Sequence, residues 1–433
     1  FYGLTLLTDD LEAWSGVLDA VLLSGKGDPR ADLQRRFKDN PDHPIVRFAN
    51  AYLAARSLGG IEDDGLRIET IDRAETLLAG TSRTLRNQPG LHQLRGFLAH
   101  QRLLATGHTD AALQAHGHYL MALDLARANP RYQATVLQAL GQLQAMAGNH
   151  WIALDYFARR AKLPDIHPIE RLSLHMSIAR SSMHVGKMSA ATKEAATACK
   201  LAAKEPALRR FLALTYDRAG LYNYAAGRFK RATALYKAAQ KQRPSTPSAR
   251  LRRANQLRAL TMQAASELAA GQVKEAVLSL QRADQTLRSL KEGELSAGMP
   301  THQRALAPTR LWYRTLIDGL RAQALMKTGD GAAAAALQNR RNSLLKKQEI
   351  APSEHHLVEL ATASLQLAQL ARADNKPDEA ARHLEKGLAH AEAFERETAT
   401  VAPLVRIALV RAYAALHLYG KVAKHRLKRD VEG

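Results

Sequence analysis

The cations are the residues best placed to do chemistry in this 433-residue chain. Residues 151 to 260 hold 22 Lys+Arg against 6 Asp+Glu, a net of +16, whereas residues 1 to 120 carry 13 against 15. Residues 121 to 150 add +1 and residues 261 to 433 add +6, which completes the formal charge of +21. Charge this concentrated marks a candidate anion-binding surface, because local density sets the field a partner meets. Guanidinium offers several donors in one plane and takes carboxylate or phosphate in a bidentate way. Dense clusters fall at Arg228-Phe229-Lys230-Arg231, at Arg250-Leu251-Arg252-Arg253, at Arg340-Arg341 with Lys346-Lys347, and from Lys421 to Arg429. The competing reading is that such arginines are solvated or paired with nearby carboxylates.

Other chemistries find little support. The nearest histidine groupings are His116 with His118 and His355 with His356. On a helix those offsets point to different faces, so neither pair can readily share a metal. HExxH is absent, and with Cys199 as the single cysteine no CxxC and no internal disulfide can form;. The sequence lacks Gly-x-Ser-x-Gly and GxxxxGK[ST], the nucleophile elbow and the phosphate-cradling loop;. The acidic runs Asp9-Asp10 and Glu62-Asp63-Asp64 sit at expected caps or turns, where solvation accounts for them. No catalysis, cofactor or metal is expected.

Helices must position these cations. Apolar residues make up 46% of the chain and aromatics only 5%, with alanine very frequent, a mixture that suits closely stacked helices better than sheets. No apolar run reaches the roughly 18 to 20 residues that span a bilayer. The chain opens at Phe1, so an upstream segment, a signal peptide or anchor included, is expected to have preceded it. Periodicity predicts helices from Leu6 to Ser24, with Thr8 as N-cap, and from about Ala31 to Lys38. Further helices are predicted from Ile45 to Leu58 and from Leu66 to Leu78, with the acidic turn Gly59–Gly65 between them. Asn87-Gln88-Pro89-Gly90 reads as a breaker. Mobile loops are expected at Gln242–Ala249 and Gly293–Pro308, helical pairs from Leu311 to Lys347 and from Ser353 to Arg396, and a last helix from near Pro403.

The stretch from Leu137 to Leu163 sets the pattern. Leu137, Leu140 and Gly141 lie on one amphipathic helix, Ala153, Tyr156 and Phe157 on the next, and Gly148 joins them. A turn residue recurs at Gly107, Gly148, Gly186, Gly220, Gly271, Gly329 and Asn375. The residue five further on is Ala112, Ala153, Ala191, Ala225, Ala276, Ala334 and Ala380. In the unit assigned to Gly220, Tyr216, Ala225, Phe229 and Ala232 take the aromatic and small positions. This signature resembles the tetratricopeptide repeat (TPR), in which small residues let paired helices cross closely.

The resemblance implies an all-α fold, a right-handed TPR-like α-solenoid of about nine or ten helical hairpins. It implies an irregular N-terminal helical cap region over 1–90, repeats with the basic block over 91–296, and C-terminal repeats with a basic terminal helix over 297–433. It also implies a noncatalytic scaffold for protein–protein interaction, with the first helix of each pair lining a groove. Carried across residue by residue, the groove positions are Ser173, Met176, Arg180, Met183 and His184, then Ala207, Arg210, Leu214, Asp217 and Arg218, then Arg258, Thr261, Ala265, Leu268 and Ala269. The candidate partner-binding residues are therefore Met176, Arg180, His184, Arg210, Arg218 and Arg258, and the expected partner is an acidic protein segment or other polyanion. The lysine and asparagine clamp by which some family members hold chaperone C-termini is not matched at Gln138, Gln142, Ser177, Ala207 and Phe211. Two alternatives stay open: a bacterial periplasmic scaffold for polysaccharide export, and phosphate-backbone binding of nucleic acid along the basic clusters with Tyr222, Tyr224 and Tyr236. The compartment, cytoplasmic or periplasmic, is left undecided.

Overall fold

A computed structural model describes residues 37–397, apart from residues 39, 62, 82–84, 128, 164–166, 243–248, 292–293, 296–309, 330, 351 and 353. The helix expected at Leu6–Ser24, the last helix near Pro403, the basic run at Lys421–Arg429 and most of the two long loops lie outside the described residues, as does most of the helix expected at Ala31–Lys38. The described residues form sixteen α-helices and no strand.

The described residues divide into two compact units, the first running to Ala226 and the second beginning at Gly227. In the first unit the helices are α1 (Pro44–Ser57), α2 (Asp64–Ala79), α3 (Pro89–Thr106), α4 (Thr109–Leu125), α5 (Pro130–Met146), α6 (His150–Ala161), α7 (Pro168–His184), α8 (Met188–Lys204) and α9 (Leu212–Ala225). The second unit holds α10 (Phe229–Lys241), α11 (Ala249–Ala269), α12 (Val273–Ser289), α13 (Arg310–Thr328), α14 (Ala333–Ile350), α15 (Glu354–Ala373) and α16 (Pro377–Glu397). Within each unit consecutive helices pack against one another as hairpins.

Local chemistry explains the punctuation. Proline opens α1, α3, α5, α7 and α16, where its missing N–H would have been unpaired in any case. Pro89 and Gly90 thus begin α3 instead of breaking the chain. Turns between helices pass through left-handed backbone at Gly107, Gly148, Gly186, Gly227, Gly271 and Gly329, with φ between 69° and 82°, and at Asn375 with φ 59°. Glycine pays no steric penalty there, and asparagine is the side chain that tolerates it best.

Six of the seven expected turn residues occupy this conformation. Gly220 does not: it is buried inside α9, and the turn lies seven residues later at Gly227. The turn-to-turn intervals are then 41, 38, 41, 44, 58 and 46, more even than the sequence reading, which had 34 and 51 in the middle. The small residue five past that turn is accordingly Ala232, not Ala225, and it lies on α10 of the second unit. Ala153, Ala191, Ala232, Ala276 and Ala380 are fully buried five residues past their turns. After Gly107 and Gly329 the buried alanines are Ala111 and Ala333, with Ala112 and Ala334 only partly covered.

Close crossing is visible where glycine meets an aromatic ring. A Cβ on Gly96 would come within 2.7 Å of Tyr119 Cε1, and one on Gly141 within 2.7 Å of Phe157 Cδ1. Tyr119 and Phe157 are fully covered in this way, which sets the spacing of α3 on α4 and of α5 on α6. Cys199 is buried in α8 as a small apolar residue.

Candidate binding cavity

Helical spacing builds the site within the first unit. Phe97, His100, Gln101 and Leu104 follow one another along a single face of α3. Thr135, Gln138, Ala139, Gln142, Ala145 and Met146 do the same on α5, as do Glu170, Ser173, Met176, Ser177, Arg180 and Ser181 on α7. Offsets of three, four and seven keep each set on one side of its helix. Together with Tyr119 and Phe157 from the second helices of their hairpins, Arg160 from α6 and Arg218 from α9, these faces enclose a cavity of about 570 Å³. Its walls mix aromatic, methionine and alanine side chains with glutamine, serine and threonine, and its charged groups are Arg160, Glu170, Arg180 and Arg218. That volume lies within the usual range for a specific ligand site, about 300–1,000 Å³.

Arg180 and Arg218 are exposed at the ends of their side chains, and both act on the buried phenol of Tyr222. Burial pushes Tyr222 up, while Arg218, which is hydrogen-bonded to it, and Arg180 pull it back down. His150 and His184 stack face to face, ring centroids 4.1 Å apart and 2° from parallel. Desolvation, then His184, then Arg180 hold the His150 imidazole below its ordinary value.

Arg160 sits deeper. It is 2% exposed, its Nη2 donates to Glu170 Oε2 at 2.9 Å, and its Nη1 has no partner. Burial holds its pKa down against the opposing pull of Glu170. Gln138 Nε2 donates to Ser177 Oγ at 3.3 Å and lies 3.5 Å from Ser173 Oγ. The hydroxyl of fully buried Ser181 and the carbonyl oxygen of Gln138 are without partners. Unpaired polar atoms of this kind carry a cost of about 1–3 kcal/mol each that a complementary ligand would recover.

Of the six candidate residues, Met176, Arg180 and Arg218 line this cavity. His184 stands one helical turn beyond Arg180, stacked on His150. Arg210 does not line it: Pro206–Phe211 forms a 3-10 segment ahead of α9, with the Arg210 guanidinium 4.8 Å over the Phe211 ring. Arg258 is exposed on α11 in the second unit. Moving the hairpin turn from Gly220 to Gly227 shifts the register by seven residues, close to two full turns. Arg218 therefore keeps its face, while Arg210 falls off the start of the helix.

The sequence reading missed Arg160, because it searched only the first helix of each hairpin. The signal was present: Ala153, Phe157 and Arg160 share the buried stripe of α6, at offsets of four and seven. Tyr222 and Tyr236, at 2% and 1% exposure, belong to the core, which removes them as stacking platforms for bases.

His100 gives the cavity a pH dependence. Its Nε2 lies 3.2 Å from Met146 Sδ, and a thioether only accepts, so Nε2 carries the hydrogen of the neutral ring. Burial lowers the His100 pKa from 6.5. The unfolded chain then binds this proton more readily, so stability is fully present above about pH 6.5 and is lost as pH falls toward the folded-state value. Urea unfolding should show the loss between pH 7 and pH 5.5, and His100→Gln should lose less over the same interval. An equal loss in both chains would refute the assignment.

No family model matches the chain, and no curated protein matches it. Solved structures do. The apo form of RapI is similar with a TM-score of 0.50 at 10% identity, over 89% of this chain and 93% of that one. The chain has a TPR-like helical-repeat fold. The apo form of the quorum sensor NprR from B. thuringiensis gives a TM-score of 0.49 at 15% identity, over 88% of this chain and 99% of that one. NprR in complex with its cognate peptide NprX gives 0.44 at 14%, over 81% and 91%. At such identities the likeness is one of backbone architecture, and TPR-like architectures carry many functions. No helix among the described residues is long and apolar enough to cross a membrane.

Proposed function

We propose that the protein is a noncatalytic TPR-like scaffold whose first unit holds an acidic segment of a protein partner in the cavity between α3, α5, α7 and α9. One observation carries this reading: Arg160, Arg180 and Arg218 line a single space together with Phe97, Met146 and Met176. Guanidinium groups beside aromatic and methionine side chains favour a ligand that combines a carboxylate with neighbouring hydrophobic side chains, since each half alone leaves part of the site unmatched. Met176 supplies adaptable apolar contact, and His184, stacked on His150, stands one turn beyond Arg180. Arg210 and Arg258 receive no role at this cavity.

The test uses pools of random heptapeptides, one with free C-termini and one amidated, with retention on the full chain read by mass spectrometry. Retained peptides should be enriched in carboxylates flanked by apolar residues. Reversing Arg180 and Arg218 together to Glu should weaken the retained peptides about 100-fold, equivalent to about 2.7 kcal/mol, with the helical circular-dichroism signal unchanged. Retention unaffected by the double reversal, or no retention by the wild-type chain, would overturn the proposal.

A further inference from the structure

The Arg160–Glu170 pair is built unlike a structural ion pair. A guanidinium that is 2% exposed needs a full set of acceptors, because removing its hydration is expensive. Here one bond is made, from Nη2 to Glu170 Oε2 at 2.9 Å, and Nη1 is left without an acceptor. The carboxylate that makes that bond is itself 49% exposed. Glu170 thus stands between the cavity and solvent, attached at one oxygen.

Glu170 can leave cheaply. It occupies the first turn of α7, three residues into the helix, where the helix N-terminus favours a carboxylate whether or not it touches Arg160. Turned outward it regains hydration. Arg160 has no such freedom, since its α6 stripe is packed in the core with Ala153 and Phe157. The vacated position would be lined by both Arg160 amino groups, of which Nη1 is already buried without a partner. A planar carboxylate across Nη1 and Nη2 makes the forked pair that a single Glu170 oxygen does not.

We infer that Glu170 is a resident counter-ion, and that a ligand carboxylate takes its place on Arg160 while Glu170 turns to solvent. This rests on the peptide-binding reading given above. The exchange sets a threshold for entry: neutral segments cannot replace Glu170, and carboxylate-bearing ones can. Glu170 is a positioning residue here, since it acts on the ligand through Arg160.

Two variants of the full chain test it against the same heptapeptide pools. Glu170→Gln weakens the resident ion pair and should tighten carboxylate-bearing peptides about 5- to 10-fold, with neutral peptides unchanged. Glu170→Asp keeps the charge but is one methylene too short to hold Arg160 in the observed contact, and should also tighten carboxylate-bearing peptides. A general charge effect would instead leave Glu170→Asp like the wild type, and that outcome overturns the exchange. Enrichment confined to the free-acid pool assigns the ligand group to a C-terminus; enrichment of Asp and Glu in both pools assigns it to side chains, and either supports the exchange. Peptides lost on reversal of Arg180 and Arg218 but indifferent to both Glu170 variants would leave the binding reading standing and this inference refuted. If no chain retains peptide, both fall.

Discussion

Phe157→Ala should destabilise the first unit by about 3–5 kcal/mol, the range for truncating a fully buried phenylalanine. Phe157 is fully covered, with Ala153, Leu174, Ala145 and Ile178 around it and Gly141 beneath its ring. The cavity left behind cannot collapse easily, because α5 and α6 are already at the close spacing that Gly141 permits. Gly141→Val tests the opposite error: its Cβ would press on the ring, and overpacking of this kind costs about 1–3 kcal/mol. The two changes share one contact, so they should not add. Gly141→Val in a Phe157→Ala background should cost less than in the wild-type chain, and the shortfall measures the coupling. Native-state hydrogen exchange of the α5 and α6 amides reports this locally, as suits a stack whose repeats touch mainly their neighbours. Strict additivity would show that ring and glycine do not set the helix spacing.

Glu267→Ala should cost the second unit about 3–5 kcal/mol, as expected when one member of a buried, hydrogen-bonded charge network is removed. Glu267 has 0% exposure. Its Oε1 accepts from Gln263 Nε2 at 2.8 Å and lies 3.1 Å from Lys237 Nζ, and its Oε2 accepts from Ser279 Oγ at 2.7 Å. Gln240 Nε2 donates to Gln263 Oε1 at 2.6 Å. One carboxylate thereby ties α10, α11 and α12 together. Alanine would leave Ser279 and Gln263 short of an acceptor inside the core and would remove the partner of Lys237, whose side chain is 45% exposed. Glu267→Gln preserves the shape and most of the hydrogen bonding, so its cost should stay near about 1–2 kcal/mol. Denaturant unfolding followed by the fluorescence of Trp312, on α13 of the same unit, checks both. A loss below about 1 kcal/mol for alanine would mean that the network is not holding the three helices.

Glu267 and Arg160 show where reading the sequence stopped. Both are ionisable residues on buried stripes, at offsets of three, four or seven from buried neighbours, and both stand in alanine-rich helices where so many positions pass as core that the stripe does not stand out. A search for exposed cations passes over them. The Gly220 assignment failed for a related reason: glycine is read as a turn, but a buried helix face uses it equally well. Only the backbone conformation at Gly227 separates the two uses. By contrast Gly107, Gly148, Gly186, Gly271, Gly329 and Asn375 were legible, because each ends a helical stripe and is followed at a fixed offset by alanine.

The amino-acid order alone determined that the described chain is helical, where six of the seven expected turns fall and which stretch carries the excess positive charge. These properties follow from local propensity, from the backbone freedom of glycine and from counting, none of which needs to know what lies across the next helix. The tertiary structure decided which cations meet. Arg180 and Arg218 share a cavity because their helices pack side by side in the first unit, Arg210 lies on a 3-10 segment away from it, and Arg160 lines it from a buried stripe. Convergence of side chains from six helices of the first unit depends on packing distances between helices far apart in sequence, and those distances are set by contacts such as Gly141 on Phe157.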